Sequence, residues 1–216
     1  MVRKFVTMAV ALMTMTGAMA QNETEQLTVF RDFRPGIIHL ANGKELTNPL
    51  LNVFLKNSSL LYKRGSQTME ANMDNIVGVD FSDRKYVKVD NKLAYLVDTV
   101  GQNKLYCATL IDVDAYQQML RNNRNITNID VNNLGTSISG DLSYTTIDLA
   151  SQNDILLPVI SQFYMLYNGE MIKAHEREIY RRLSKEQKRM FKTIIGESGF
   201  SWVNAESLMK LLKAIS

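Results

Sequence analysis

The sequence predicts an α+β protein: an antiparallel β-meander that forms a curved sheet or small open barrel, then a β-hairpin and two C-terminal helices. Between Ile37 and Ile111, turn residues interrupt the apolar runs before a helix of three turns could form. Beyond residue 152, a hairpin pattern is followed by two segments whose apolar residues have helical spacing. The composition, with 45% hydrophobic and 22% charged residues, is typical of a globular protein.

The β-meander is predicted to occupy 27–121, together with one short helix. The Asn-Gly dipeptide at 42–43 favours positive φ at both positions and therefore predicts a two-residue hairpin turn. Val77, Val79 and Phe81 alternate with smaller or polar residues, which predicts that these three side chains share one face of a strand.

Asp112 is a suitable cap for a helix over 114–121, which has good helix formers and apolar residues at helical spacing. The next segment, 122–151, is rich in Asn, Ser, Thr, Gly and Asp. We interpret it as a polar loop or linker that carries one short strand over 142–147, because loops of this length are uncommon inside a compact domain.

The last segment, 152–216, begins with the strongest hairpin signal in the chain. Its two apolar runs, 159–167 and 170–174, flank an Asn-Gly dipeptide at 168–169. The aromatic residues of the first run are typical of a strand.

Two helices are predicted after this hairpin. Ser184 and Gln187 have the spacing of a capping box, and Gly196 would end that helix. Asn204 would cap the final helix, whose leucines recur at the spacing of a buried face.

Residues 1–20 have the pattern of a signal peptide. A basic start with Arg3 and Lys4 precedes a mostly apolar run over 5–15, and small residues then suit cleavage before Gln21. An uncleaved anchor is the alternative, but the run is shorter than the roughly 20 residues that span a bilayer. We therefore expect an exported protein without a transmembrane span, located in the periplasm, at the outer membrane or outside the cell.

The net charge gives no support for a nucleic-acid partner. The whole chain has a formal net charge of +3, and removal of Arg3 and Lys4 leaves +1. Overall charge therefore gives no reason to expect nucleic-acid binding.

No motif in the sequence predicts a catalytic residue, a cofactor or a metal ion. Zinc motifs, a Gly-x-Ser-x-Gly elbow and a phosphate-binding glycine loop are all missing. The single cysteine, Cys107, has no histidine near it in sequence, so a buried apolar role is preferred over a nucleophile. The nearest match to a calcium loop runs from Asp130 to Asp141, but Leu134 occupies a ligand position, which favours ordinary turn aspartates.

One helix carries a distinctive charge pattern. Its basic residues follow the spacing i, i+3, i+4 and i+7, so they share one face; they are Lys185, Lys188, Arg189 and Lys192. We interpret this set as a candidate docking surface for an anionic partner. The alternative is an ordinary solvated helix face, since surface helices are commonly rich in Lys and Arg.

Three stretches of the chain, at 54–63, 107–112 and 174–178, resemble a family of uncharacterised exported proteins of Bacteroidales bacteria. The resemblance implies a bacterial envelope location and a single copy of one domain. It implies no catalytic or binding residues.

These observations favour a non-enzymatic exported envelope protein that binds a protein or an anionic envelope component. One alternative is a periplasmic hydrolase that acts on glycan or peptide and uses aspartate pairs or Cys107. Another is a small-ligand-binding protein that uses the interior of a β-barrel. The sequence does not indicate an oligomeric state.

Overall fold

A computed structural model describes residues 23–24, 26–122, 136–138, 145–147 and 157–216. The predicted signal peptide at 1–20 lies outside these ranges. Of the short strand predicted at 142–147, Thr145–Ile147 is described and is a strand.

The α+β prediction is confirmed, because the strands in the described part of the chain form one antiparallel sheet and the C-terminal helices pack against one of its faces. In chain order the strands are β1 (Glu23–Thr24), β2 (Arg34–Leu40), β3 (Glu45–Phe54), β4 (Ser59–Arg64), β5 (Gln67–Glu70), β6 (Ile76–Phe81), β7 (Lys85–Val89), β8 (Lys92–Val100), β9 (Asn103–Ile111), β10 (Thr136–Ile138), β11 (Thr145–Ile147), β12 (Leu157–Tyr167) and β13 (Glu170–Lys173).

The order across the sheet is β1-β12-β9-β8-β7-β6-β2-β3-β4-β5-β11-β10, and β13 also pairs with β12. The first and last strands of this order do not pair with each other, so the sheet of the described strands is not closed. The central run from β9 to β5 contains two meanders, β6 to β9 and β2 to β5, which are joined where β2 pairs with β6. The β12–β13 hairpin extends it, because β12 pairs with β9 along eight residue pairs.

Hydrogen bonds between the turn after β3 and strands β8 and β9, which are not neighbours of β3 in this order, show that the sheet curves. The N–H of Leu93, on β8, donates to the carbonyl oxygen of Ser58 at 2.7 Å, and the Ser58 hydroxyl donates to the carbonyl of Leu93. The N–H of Ile111, on β9, donates to the carbonyl oxygen of Leu55 at 2.7 Å. The turn after β3 therefore closes over the ends of β8 and β9.

The β2–β3 hairpin is present, but the predicted two-residue turn is wrong. The N–H of Leu40 donates to the carbonyl of Lys44 at 2.9 Å, which leaves three residues in the loop. Gly43 has a φ of 78°, whereas Asn42 is not among the residues with positive φ. A three-residue loop needs one residue in the left-handed region, and glycine supplies it.

Two other hairpins have two-residue turns in which both residues have positive φ. In the β12–β13 turn, as predicted, Asn168 and Gly169 have φ values of 51° and 82°. In the β7–β8 turn, Asp90 and Asn91 have φ values of 48° and 61°. Asn and Asp tolerate this region better than other non-glycine residues.

The prediction that Val77 shares a face with Val79 and Phe81 is wrong. Val79 and Phe81 are buried, whereas 45% of Val77 is exposed. The register between β2 and β6 shifts at this point, because His39 pairs with Gly78 while the next residue of β2 pairs with Ile76. The shift leaves Val77 as the extra residue of a bulge, and a bulge interrupts the alternation of faces.

The described helices are α1 (Val113–Asn122), α2 (Glu176–Tyr180), α3 (Lys185–Ile195) and α4 (Ala205–Ile215). None of these helices is long and apolar enough to cross a membrane. The short helix α2 is an addition to the two C-terminal helices that the sequence predicts.

The predicted helix caps are confirmed. The Asp112 carboxylate accepts from the N–H of Ala115 at 3.0 Å, at the start of α1. Ser184 and Gln187 form a complete capping box at the start of α3, and Gly196 is the C-cap. The Asn204 side chain accepts the N–H of the third residue of α4 at 2.8 Å.

The two faces of the sheet have different surroundings. We call the face that the C-terminal helices cover the inner face, and its central row is Tyr86, Tyr95, Cys107 and Phe163. The helices contribute buried residues to this core, among them Phe191, Leu208, Leu211 and Leu212. The opposite face, which we call the outer face, has its own apolar cluster of Val89, Ala94, Tyr106, Ala108 and Tyr164.

Candidate functional site

The four basic residues that the sequence singles out all lie on α3, and we call them the basic face. Lys185, Arg189 and Lys192 are exposed, and Lys188 is half-buried. Phe191, on the other side of the helix, is completely buried. The amphipathic spacing thus directs the cations to solvent while the phenyl ring anchors the helix.

An aromatic cluster beneath α3 holds the helix in place. The ring of Phe191 lies 5.7 Å from the ring of Tyr180, on α2, and 6.2 Å from the ring of Trp202. Trp202 also makes an edge contact with Phe200 at 4.9 Å. Because these residues come from α2, α3 and the loop before α4, α3 has a fixed position relative to both neighbouring helices.

Tyr180 also orders two cations of the basic face. The Nζ of Lys188 lies 4.9 Å and the Nζ of Lys192 5.7 Å from the centre of its ring. Both distances are within the range in which an aromatic ring attracts a cation. The ring therefore holds two like charges one helical turn apart.

Neighbouring arginines are neutralised by carboxylates, in contrast to the basic face. Arg181 donates to Glu178 at 2.6 Å, and Arg182 donates to Glu170 at 2.8 Å as well as to Glu178. Hydrogen bonds from these arginines hold the pKa of both carboxyls below the usual range. Among the described residues, no carboxylate lies within ion-pair distance of any cation of the basic face.

Cys107 lies in the inner core, as the apolar interpretation predicts. Its side chain is 1% exposed, and burial raises the pKa of the thiol. Hydrogen bonds with Ser161, Tyr95 and Thr109 oppose that rise only in part. A protonated, inaccessible thiol is a poor nucleophile.

His175 caps a helix. Its Nδ1 accepts from the N–H of Arg177 at 3.4 Å, and its ring stacks on Trp202 at a centroid distance of 6.3 Å. The imidazole thus joins the start of α2 to the loop before α4.

His39 lies between two carboxylates on the outer face. Its Nδ1 is 3.2 Å from Glu45 and its Nε2 is 3.4 Å from Asp80, and Asp80 also lies 3.5 Å from the Nζ of Lys85. Both ring nitrogens face acids, so the imidazole connects β2 with β3 and β6.

Asp80, His39 and Lys85 also line a groove of ≈ 330 Å³ over the outer face, which we call the outer groove. Sequence reasoning missed this site, because its residues come from five strands and meet only through the sheet register. The alternation of polar and apolar residues indicates which residues of a strand share a face, but it does not indicate which strands pair with each other.

In the part of the chain that the structure describes, no group of three or more His, Cys, Asp or Glu side chains could hold a metal ion. Asp130 and Asp141, the ends of the weak calcium-loop match, lie outside the described residues.

Comparison with known proteins adds no family to this description. No protein-family model, no curated protein and no solved structure matches the chain.

Proposed function

We propose that this protein is exported to the bacterial envelope, to the periplasm or the cell surface, and acts there as a non-enzymatic binding module. Its basic face docks on an acidic envelope protein or on another anionic envelope component. The pattern of basic, apolar and small residues over 1–20 supports export.

The observation that carries this proposal is the segregation of the charges. Arg181 and Arg182 are paired with carboxylates, whereas the cations of the basic face have no such partner among the residues described. Unpaired cations on one helix face produce a positive field that attracts an anionic surface. The field weakens with salt, because the Debye length is about 8 Å at physiological ionic strength.

The rigidity of α3 is a second argument. A helix that a capping box and a buried phenyl ring already hold in place loses little conformational entropy when it binds. Cation–π contacts with the ring of Tyr180 also restrain the side chains of Lys188 and Lys192. Less binding energy is then spent on ordering these long side chains.

The arrangement of Cys107 and His39 favours a binding role over hydrolysis. The thiol is buried in the inner core, and the imidazole lies on the outer face between two carboxylates. The two groups therefore cannot form a nucleophile–base pair in this arrangement.

Co-sedimentation with envelope membranes of a Bacteroidales bacterium tests the proposal. We expect the double variant Lys188→Glu and Arg189→Glu to bind at least about tenfold more weakly, since each cation near an anionic surface contributes about 1 kcal/mol. The matched control is Lys44→Glu with Lys213→Glu, which makes the same change of net charge at two exposed positions outside α3.

The proposal is rejected if the α3 variant sediments as the wild type does, or if the control loses as much binding. Treatment of the membranes with protease then distinguishes the two kinds of partner. Loss of binding after that treatment identifies an acidic protein. Retained binding, together with binding to phosphatidylglycerol vesicles, identifies an anionic lipid surface.

A further inference from the structure

The outer groove combines an apolar floor with a charged margin. Val87 and Leu96 contribute to its lining, and Gly78 adds no side chain at the point where β6 approaches β7. The register pairs Leu96 with Tyr106, and both residues line the groove together with Lys85. Small-molecule sites are typically concave and mostly apolar, with a few polar groups that orient the ligand.

Two cationic side chains make the groove a candidate site for an anion. Lys85 and Lys104 line it together with one carboxylate, that of Asp80. Asp80 is already engaged by His39 at 3.4 Å and by Lys85 at 3.5 Å. Lys104 has no carboxylate within ion-pair distance in the described ranges, and it lies on the same face of β9 as Tyr106.

Tyr106 adds a neutral hydrogen-bond donor. Burial raises the pKa of its phenol, so the hydroxyl stays protonated at neutral pH. A protonated hydroxyl can donate to a carboxylate, whereas a phenolate would repel it.

We propose that the outer groove binds a small amphipathic monocarboxylate, with its carboxylate between Lys85 and Lys104 and its apolar chain over Val87 and Leu96. The volume of ≈ 330 Å³ is near the lower limit of about 300 Å³ for ligand pockets, so the ligand is small. The groove lies on the face opposite the C-terminal helices. The proposal is therefore independent of the partner of α3.

The test is an NMR titration of the full chain with octanoate, octan-1-ol and acetate. Octanoate has both the chain and the charge, and each of the others lacks one of them. We expect saturable shifts with octanoate at the amides of Gly78, Val87, Leu96 and Lys104, and at least tenfold weaker binding of octan-1-ol. Acetate should cause no saturable shift.

Lys104→Gln should weaken octanoate binding at least fivefold, because it removes one charge-assisted contact. Lys213→Gln, which removes an exposed lysine of α4, should leave the affinity unchanged. An unperturbed spectrum in the absence of ligand will show that both variants are folded. Equal affinity for octan-1-ol, shifts outside the groove, or an unchanged affinity of Lys104→Gln would each overturn the proposal.

Discussion

The imidazole of His39 and the thiol of Cys107 lie on opposite faces of the same antiparallel sheet. Through the pairing of the intervening strands, His39 aligns with Ala94, whereas Cys107 pairs with Tyr95, the next residue of β8. Because successive residues of a strand point to opposite faces, the sheet itself separates the two groups. A hydrolytic site built from this pair would require the sheet to be taken apart.

We expect the Cys107 thiol to be unreactive in the folded protein. Burial raises the pKa of the Cys107 thiol above its usual 9.0, and the side chain is 1% exposed. We expect alkylation by iodoacetamide at pH 8 to be at least about 100-fold slower in buffer than in urea, because it requires local unfolding. Mass spectrometry of the labelled protein gives both rates.

A control variant separates burial from activation by histidine. His39→Asn should leave the alkylation rate of Cys107 unchanged, because the two side chains do not share a face of the sheet. Rapid labelling of the folded protein that slows in His39→Asn would mean that the two groups do meet, contrary to the structure.

Asn52 attaches the segment before β2 to the sheet. The residue is completely buried; its Oδ1 accepts from the N–H of Phe30 at 3.1 Å, and its Nδ2 donates to the carbonyl of Phe30 at 2.8 Å. Asn52→Leu would leave both backbone groups of Phe30 without these partners. We expect the free energy of unfolding to fall by about 3 kcal/mol, measured by urea denaturation.

Asn42→Ala is the matched control for this prediction. Asn42 is exposed, and its side chain accepts one hydrogen bond, from the N–H of Lys44 within the same turn. Its loss should cost about 1 kcal/mol or less, because water can replace it. Equal destabilisation by the two variants would show that the buried hydrogen bonds of Asn52 do not contribute the expected free energy of unfolding.

Local signals predicted the elements that are built from neighbouring residues. Ser184 and Gln187 cap α3, and the dipeptide at 168–169 makes the turn between β12 and β13, because each contact spans only a few residues. The same holds for the positions of the basic residues on α3. The spacing could not reveal that Tyr180 lies beneath two of them, because the sequence does not predict the short helix α2 on which Tyr180 lies.

Features that depend on pairing between distant strands could not be predicted. The bulge that exposes Val77 arises from the register between β2 and β6, which are far apart in sequence. For the same reason, Asp80 and Lys104 gave no sign of sharing a groove. A single sequence indicates the alternation of faces along an uninterrupted strand, but it specifies neither the bulges of that strand nor the neighbours of each residue on the next strand.

We expect the contribution of Arg182 to the stability of the fold to depend on pH. Arg182 forms ion pairs with Glu170 and Glu178, and the pKa values of both carboxyls are lowered. A carboxyl whose pKa is lower in the folded state stabilises the fold above its ordinary pKa, near 4.5, and this contribution is lost as the pH falls through the lowered value.

We therefore expect Arg182→Gln to have a lower urea midpoint than the wild type at pH 7, and the difference to shrink between pH 4 and pH 2. All three side chains are partly or largely exposed, so the effect is small and weakens with salt. Lys213→Gln, which removes a lysine without an ion pair in the described ranges, should show no such trend. A difference that persists at pH 2 would assign the effect of Arg182 to packing.

Gly78 allows β6 and β7 to approach each other closely, so we expect a side chain at this position to destabilise the sheet. A Cβ at this position would lie 2.6 Å from the backbone carbonyl oxygen of Tyr86, which cannot move without breaking the ladder between the strands. Gly78→Ala should therefore lower the free energy of unfolding by about 1–3 kcal/mol. Gly199→Ala is the matched control, because no atom of the described residues lies within 4 Å of a Cβ there and its φ is not positive. That variant should stay within about 0.5 kcal/mol of the wild type. Equal stability of the two variants would show that β6 and β7 are farther apart than the structure places them.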